Sequence, residues 1–319
     1  MNRKITVILI FLLFLAIVLI AISLGPVKLS LRELFFGQYS NILRLRITRV
    51  ILGLVAGAGL AVAGVIFQGI LRNPLAEPYV LGVSSGAGLG AALALFFNLS
   101  MELLPLTAFL GAVLTMFIVY NLAKLNGKVS TQGLILSGVI VGAVFASLLL
   151  FFVSISTNEA MHGITWWLLG SLQVFDIKLL IAVSIMILTG ICIAIYFARD
   201  LNAISLGEEE ALHLGINVDA VKKILFIIAS LISGSIVCVC GIIGFVGLII
   251  PHAVRLICGS DHRLVLPVSA ISGGAFLILA DTISRTLMPP VEVPIGVITA
   301  FIGGTVFIFL LRKKQKAPF

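Results

Sequence analysis

Asp281 and Arg285 stand four residues apart in an apolar stretch, a spacing that puts both on one face of a helix. Charges at membrane depth are candidates for function, although a pair near the end of a span also serves as a local structural ion pair. His252 follows Pro251 in GIIGFVGLIIPHAVRLICG; alone beside a helix break, it reads as a hydrogen-bonded structural residue rather than a ligand or proton carrier. Cys238-x-Cys240 has neither zinc-finger spacing nor a nearby pair of histidines, and reads as small core residues. Gly86-x-Gly88 lacks the strand that precedes a nucleotide loop, and no P-loop Lys-Ser/Thr occurs in the chain. No Ser/His/Asp or Cys/His set, HExxH helix or carboxylate cluster falls at a spacing that supports catalysis. The chain therefore reads as a non-catalytic subunit that binds no metal or cofactor and cannot energise anything by hydrolysing ATP itself.

What remains is one long polar interval, about 199–223, RDLNAISLGEEEALHLGINVDAVKK. Ser205 and Glu208 have the spacing of a capping box, and Glu208, Glu209 and Glu210 fall where a helix dipole favours negative charge. Gly215 stands where a left-handed C-cap is needed, with Ile216 as its apolar companion. The pattern predicts a helix near Leu206–Leu214, far too short to span a bilayer. Such an element either docks a soluble partner or lies as an amphipathic helix on the lipid surface.

The elements around it are membrane spans. The 319 residues are 61% hydrophobic and 11% charged, against roughly 25% charged in soluble domains. The formal net charge of +8 does not indicate nucleic acid, because the basic residues sit at span ends and in the tail, as topology signals and contacts for anionic lipid. About ten spans can be drawn in one domain, 1–319, near 5–25, 47–69, 79–97, 103–123, 132–155, 178–198, 221–240, 242–258, 266–286 and 295–311. The first run is too long for a signal peptide and lacks a cleavage site. With both termini inside, fourteen of the 21 basic residues are cytoplasmic, and Lys28, Arg32, Arg44, Arg46, Arg49, Lys178 and Arg285 are external. Arg44, Arg46 and Arg49 go against that rule and need another reason.

Small residues mark the packing faces: Gly53 and Gly57; Gly82, Gly86 and Gly90; Gly138 and Gly142. Two prolines keep Arg72–Pro78 from being helical, and Pro251 is expected to interrupt the eighth span. Trp166 and Trp167 suit an interfacial helix, or an aromatic lip on a substrate path.

Five blocks in order carry a resemblance: RLRITR (44–49), QGILRNPLAEPYVLGVSSGAGLGA (68–91), LGEEEALHLGINV (206–218), GFVGLIIPHAVRLICGSDHRLVLP (244–267) and ADTISRTLMPPVEVPIGVITAFIGG (280–304). The chain closely resembles the FecCD-type permeases, the membrane subunits of bacterial ABC importers for iron–siderophore complexes, haem and cobalamin. It departs from them at Thr48, where the family usually has proline between the two arginines.

The resemblance implies an all-α, multi-pass protein of the cell membrane with the type II ABC importer permease fold. It implies a partner permease chain, an identical one making a homodimer, with two ATP-binding subunits inside, which would carry ATP and Mg, and a substrate-binding protein outside. The residues matching the coupling helix are Ser205, Leu206, Gly207, Glu208, Glu209, Leu214 and Gly215. Those matching binding-protein docking positions are Arg46, Arg49 and Arg285, and the cytoplasmic gates match Asn73, Leu75, Ser130 and Thr131. The expected mechanism is alternating access, driven by closure of the ATP-binding subunits on the coupling helices. A ferric siderophore is the expected cargo, with cobalamin or haem as alternatives. An ion-coupled secondary transporter is the rival of another class, and it would need intramembrane ion sites that the spans barely offer.

Overall fold

The computed structural model describes residues 3–27, 40–125, 128–173 and 176–315. Lys28, Arg32 and Lys316 lie outside them. Almost every described residue is helical, as lipid demands of a backbone that has no water to bond. The helices are α1 (Arg3–Ser23), α2 (Ser40–Ile70), α3 (Val83–Phe96), α4 (Leu104–Leu122), α5 (Thr131–Ile155), α6 (Asn158–Leu168) and α7 (Ile177–Tyr196). They continue as α8 (Ala198–Leu206), α9 (Glu208–His213), α10 (Val218–Cys240), α11 (Val246–Cys258), α12 (His262–Thr286) and α13 (Ile295–Gln315). A 3-10 turn, Pro78–Leu81, leads into α3, and a minimal hairpin of β1 (Lys124–Leu125) and β2 (Lys128–Val129) joins α4 to α5.

Seven of these helices are long and apolar enough to cross a membrane, and α3, α11 and α13 are shorter apolar helices. Together they occupy the ten expected spans. α2 is the central helix, with 89% of its apolar window buried, whereas α1 is 11% buried and lies at the edge. Glycine sets the centre's close packing. A methyl on Gly57 would collide with the Gly273 carbonyl of α12, and one on Gly64 with the Gly247 carbonyl of α11. Gly86 and Gly90 bring α3 equally close to α4 at Gly111 and Thr107. Cys238 and Cys240 are buried as expected, but Cys192 is exposed on α7.

Two links between spans are unwound. The chain runs unwound through 71–77 before the turn into α3, and through 241–245 before α11, and the two touch: Glu77 Oε1 accepts the Phe245 backbone N–H at 2.6 Å. The eighth span is thus short, but Pro251 is not where it breaks. Pro251 lies inside α11, and the break precedes Phe245, whose φ is +70°. A proline there withholds the N–H that the Gly247 carbonyl would accept four residues earlier. The Gln68 amide of α2 supplies it instead, Nε2 to Gly247 O at 3.1 Å, so the helix continues through the proline. Thr48 leaves α2 unbroken as well, its hydroxyl donating back to the Arg44 and Leu45 carbonyls at 3.0 and 2.9 Å.

Candidate functional site

Three groups of residues sit apart in the bundle: the short helix α9, the loop 71–77 with the start of α5, and an arginine cluster at the opposite end of α2.

At α9 the C-terminal reading holds and the N-terminal one does not. Gly215 has φ +79°, its N–H donates to Leu212 O at 2.9 Å, and the Ile216 N–H reaches Ala211 O at 3.1 Å, the two bonds of a Schellman motif. Ser205, expected as the N-cap, is still inside α8, where its hydroxyl donates to Leu201 O at 2.7 Å. The chain breaks two residues later at Gly207, extended with φ 166°, and α9 begins at Glu208 with its three glutamates in the first turn. Glu208 is half-buried and ion-paired to Lys222 of α10, so it braces α9 from behind. Glu209, Leu206, Leu212 and Leu214 are exposed, the last three apolar. Asp261, at the N-cap of α12, accepts from Asn202 of α8 at 2.8 Å. Side-chain hydrogen bonds from Arg263 and Asn202 hold its carboxyl far below the usual carboxylate range.

In the loop, Asn73 Oδ1 accepts the Leu75 N–H at 2.9 Å, an Asx turn that leaves Leu75 51% exposed. Ser130 caps α5 by accepting the Gly133 N–H at 2.9 Å, and Thr131 opens the helix. Among the described residues no hydrogen bond joins Asn73 or Leu75 to Ser130 or Thr131, so within one chain these are two separate, locally tied corners.

The arginines point inward. Arg285 is 2% exposed, forms an ion pair with Asp281 at 3.3 Å and donates to the Ala21 carbonyl at 2.6 Å. Arg46, 3% exposed, donates to the carbonyls of Ile22, Ser23 and Val27 at 3.0, 2.8 and 2.7 Å. These two guanidiniums therefore satisfy the open C-terminal carbonyls of α1, where positive charge also suits the helix dipole. Both were expected at an outer docking surface; in this chain they are buried, with these carbonyls as their partners. Arg49 is different. It donates to Asp281 Oδ1 at 2.7 Å and to Glu292 at 2.8 and 2.9 Å, and its side chain keeps 14% exposure at the mouth of a small pocket. Trp166, Gln173 and Glu292 share that pocket with it. The i,i+4 pair seen in the sequence is thus half of a four-residue network. Its missing members come from Arg49, on another helix, and Glu292, in the following loop.

Residues outside every sequence-derived site complete the picture. Gln68 also faces the Ala76 carbonyl at 3.3 Å and accepts from Arg255, and Asn202 bonds both Asp261 and His262. Among the described residues no group of three or more His, Cys, Asp or Glu side chains is placed to hold a metal ion.

Residues 9–313 match the FecCD transport family. The chain is 40% identical over 275 residues to the cobalamin import system permease protein BtuC of Halobacterium salinarum, covering 85% of this chain and 73% of that one. It is 35% identical over 319 residues to the hemin transport system permease protein HmuU of Yersinia pestis, covering 95% of each. A solved inward-facing structure of a metal-chelate type ABC transporter superposes with a TM-score of 0.88 at 32% identity, over 98% of this chain and 100% of that one. A match of this length, with the helices of this chain laid on those of a solved relative, decides the family: the chain belongs to the FecCD transport family and is one of its integral-membrane permeases.

Proposed function

We propose that the chain is the membrane-spanning subunit of an ATP-driven importer for a metal chelate, working as a pair of permease chains with two ATP-binding subunits and an extracytoplasmic binding protein. The observation that carries this is α9. It is capped at its C-terminal end and braced by Glu208–Lys222, and it presents exposed Leu206, Leu212 and Leu214 beside Glu209. A bare apolar patch on a short, rigid element at the basic, cytoplasmic end suits a protein partner better than solvent. The absence of a P-loop from the sequence requires that partner to supply the ATP chemistry.

The coupling contact is assigned to Leu206, Glu209 and Leu214, with Ser205, Gly207, Glu208 and Gly215 setting the helix's position. Asn73, Leu75, Ser130 and Thr131 are assigned to the cytoplasmic gate, the exposed Leu75 acting as an apolar plug that two chains can bring together. Binding-protein docking is assigned to the surface around Arg49, with the exposed Arg44 on the preceding turn, and Arg46 and Arg285 holding α1 beneath it. Relatives named for cobalamin and for hemin match this chain over most of its length. Ferric siderophore remains our choice of cargo, with those two as alternatives, because selection rests with the binding protein.

The test is co-purification. Leu206→Asp with Leu214→Asp should leave the permease folded and abolish both retention of the ATP-binding subunit and ATP-driven uptake. Unchanged retention would remove α9 from the coupling role. Uptake in vesicles that persists without ATP would favour the ion-coupled reading.

A further inference from the structure

Two side-chain amides, one buried and one half-buried, tie down the corner between α11 and α12. Gln68, 4% exposed, is oriented by Arg255, which can only donate; its Oε1 accepts from Arg255, so Nε2 faces the carbonyls of Gly247 and Ala76. The Gly247 contact replaces the bond that Pro251 removes, and the Ala76 contact reaches into the loop that carries Asn73 and Leu75. Asn202, on α8, is oriented by the Asp261 carboxylate, which can only accept. Its Nδ2 donates to Asp261 at 2.8 Å, so its Oδ1 receives the His262 backbone N–H at 2.8 Å and His262 Nδ1–H at 2.7 Å. The left-handed Gly259 makes the corner itself, φ +86°, between Arg255 and His262.

We propose that this corner transmits the movement of α9 to the loop 71–77, with Asn202 and Gln68 as its positioning residues. The inference rests on the coupling and gate assignments above. Gly207 is the only residue between α8 and α9, so a shift of α9 drags α8. Asn202 ties α8 to the first residues of α12, the corner ties α12 to α11, and Gln68 ties α11 to the Ala76 carbonyl, one residue from Leu75. Packed cores are bistable rather than continuously deformable, and directional hydrogen bonds between fixed donors and acceptors likewise hold one arrangement until they exchange for another. His262 Nε2 is buried without a partner, so the corner retains an acceptor that a second arrangement can fill. Spatial continuity alone does not establish coupling, so the readout must be the gate itself.

Leu75→Cys is introduced with Cys192→Ser, which removes the exposed native thiol and leaves Cys238, Cys240 and Cys258 buried. The complex with its ATP-binding subunit is purified, and the rate of modification at position 75 by a polar maleimide is compared without nucleotide and with ATP plus vanadate. The expected result is a clear nucleotide-dependent rate change in this background, lost in Gln68→Met and in Asn202→Ala while the ATP-binding subunit is retained. Gln68→Glu keeps an acceptor for Arg255 but has no donor for Gly247 or Ala76; it too should lose the response, and it serves where Gln68→Met fails to fold. Full nucleotide dependence in either the Asn202 or a Gln68 variant overturns the proposal. Loss of the ATP-binding subunit from Asn202→Ala also overturns it, by making α8 an attachment element. No response in the background itself removes the gate and coupling assignments, and the corner's role with them.

Discussion

The charge network at the outer end of α2 gives the sharpest energetic prediction. Asp281, with a side chain 3% exposed, is the acid shared by Arg49 and Arg285, and among the described residues Arg285 forms no other ion pair. Asp281→Asn removes that charge and takes from the buried Arg285 guanidinium its ion-pair partner, a change that costs about 3–5 kcal/mol in proteins generally. At about 2 °C per kcal/mol in a large chain, the apparent unfolding midpoint should fall by roughly 6–10 °C. Glu292 holds the same Arg49, but at 29% exposure water already screens the pair, so Glu292→Gln should cost at most about 1 kcal/mol. Removing both charges, Asp281→Leu with Arg285→Met, should recover much of the loss, because an apolar replacement of a buried pair is often close to neutral. The assay is thermal unfolding of the purified permease in one detergent at one scan rate, since irreversible unfolding makes the midpoint rate-dependent. Equal losses for Asp281→Asn and Glu292→Gln, or a double variant as unstable as the sum of its parts, would refute the reasoning.

Other consequences follow from the same geometry. Gly64→Ala drives a methyl into the Gly247 carbonyl and should cost more than the roughly 1–3 kcal/mol of ordinary overpacking, read as loss of folded, monodisperse protein on size-exclusion chromatography. Gly215→Ala meets no neighbour but must hold φ +79°. It should therefore cost about 1 kcal/mol locally and weaken retention of the ATP-binding subunit, with the unfolding midpoint changed little. Arg46→Met uncaps the carbonyls of Ile22, Ser23 and Val27 and should expose α1 to proteolysis near Ser23, with the remaining helices intact on a gel.

Hydropathy made the ten apolar helices legible, because lipid allows a spanning backbone little but helix. Local chemistry made the C-terminal end of α9 legible too, since a glycine at C′ followed by an apolar residue has one low-energy use. The N-terminal end misled for an equally local reason. Ser205 and Glu208 have capping-box spacing, but a cap needs extended backbone at the serine, and the preceding run from Ala198 is already helical. Gly207, set between two helix-forming runs, was the signal for the true break. Arg49 could not be joined to Asp281 in advance, because 232 residues separate them and no local rule reaches across a bundle.

Gln68 falls between those cases, and it shows how more can be read. A lone amide in a Gly- and Ala-rich central helix is costly to bury unless its donors and acceptor are met. A proline in the interior of another span leaves a carbonyl that its own helix cannot satisfy. Each is a debt of opposite sign, an unplaced donor and an unplaced acceptor, at a depth where water cannot settle either. Pairing them predicts that α2 and α11 touch where Gly64 meets Gly247, one helical turn before Gln68, and the structure has that contact. The same reasoning assigns the loop its position. Once Gln68 is held by Gly247 and Arg255, the Ala76 carbonyl is within reach of the same amide, and the stretch around Leu75 is fixed by a side chain of the helix that precedes it rather than by its own turn alone.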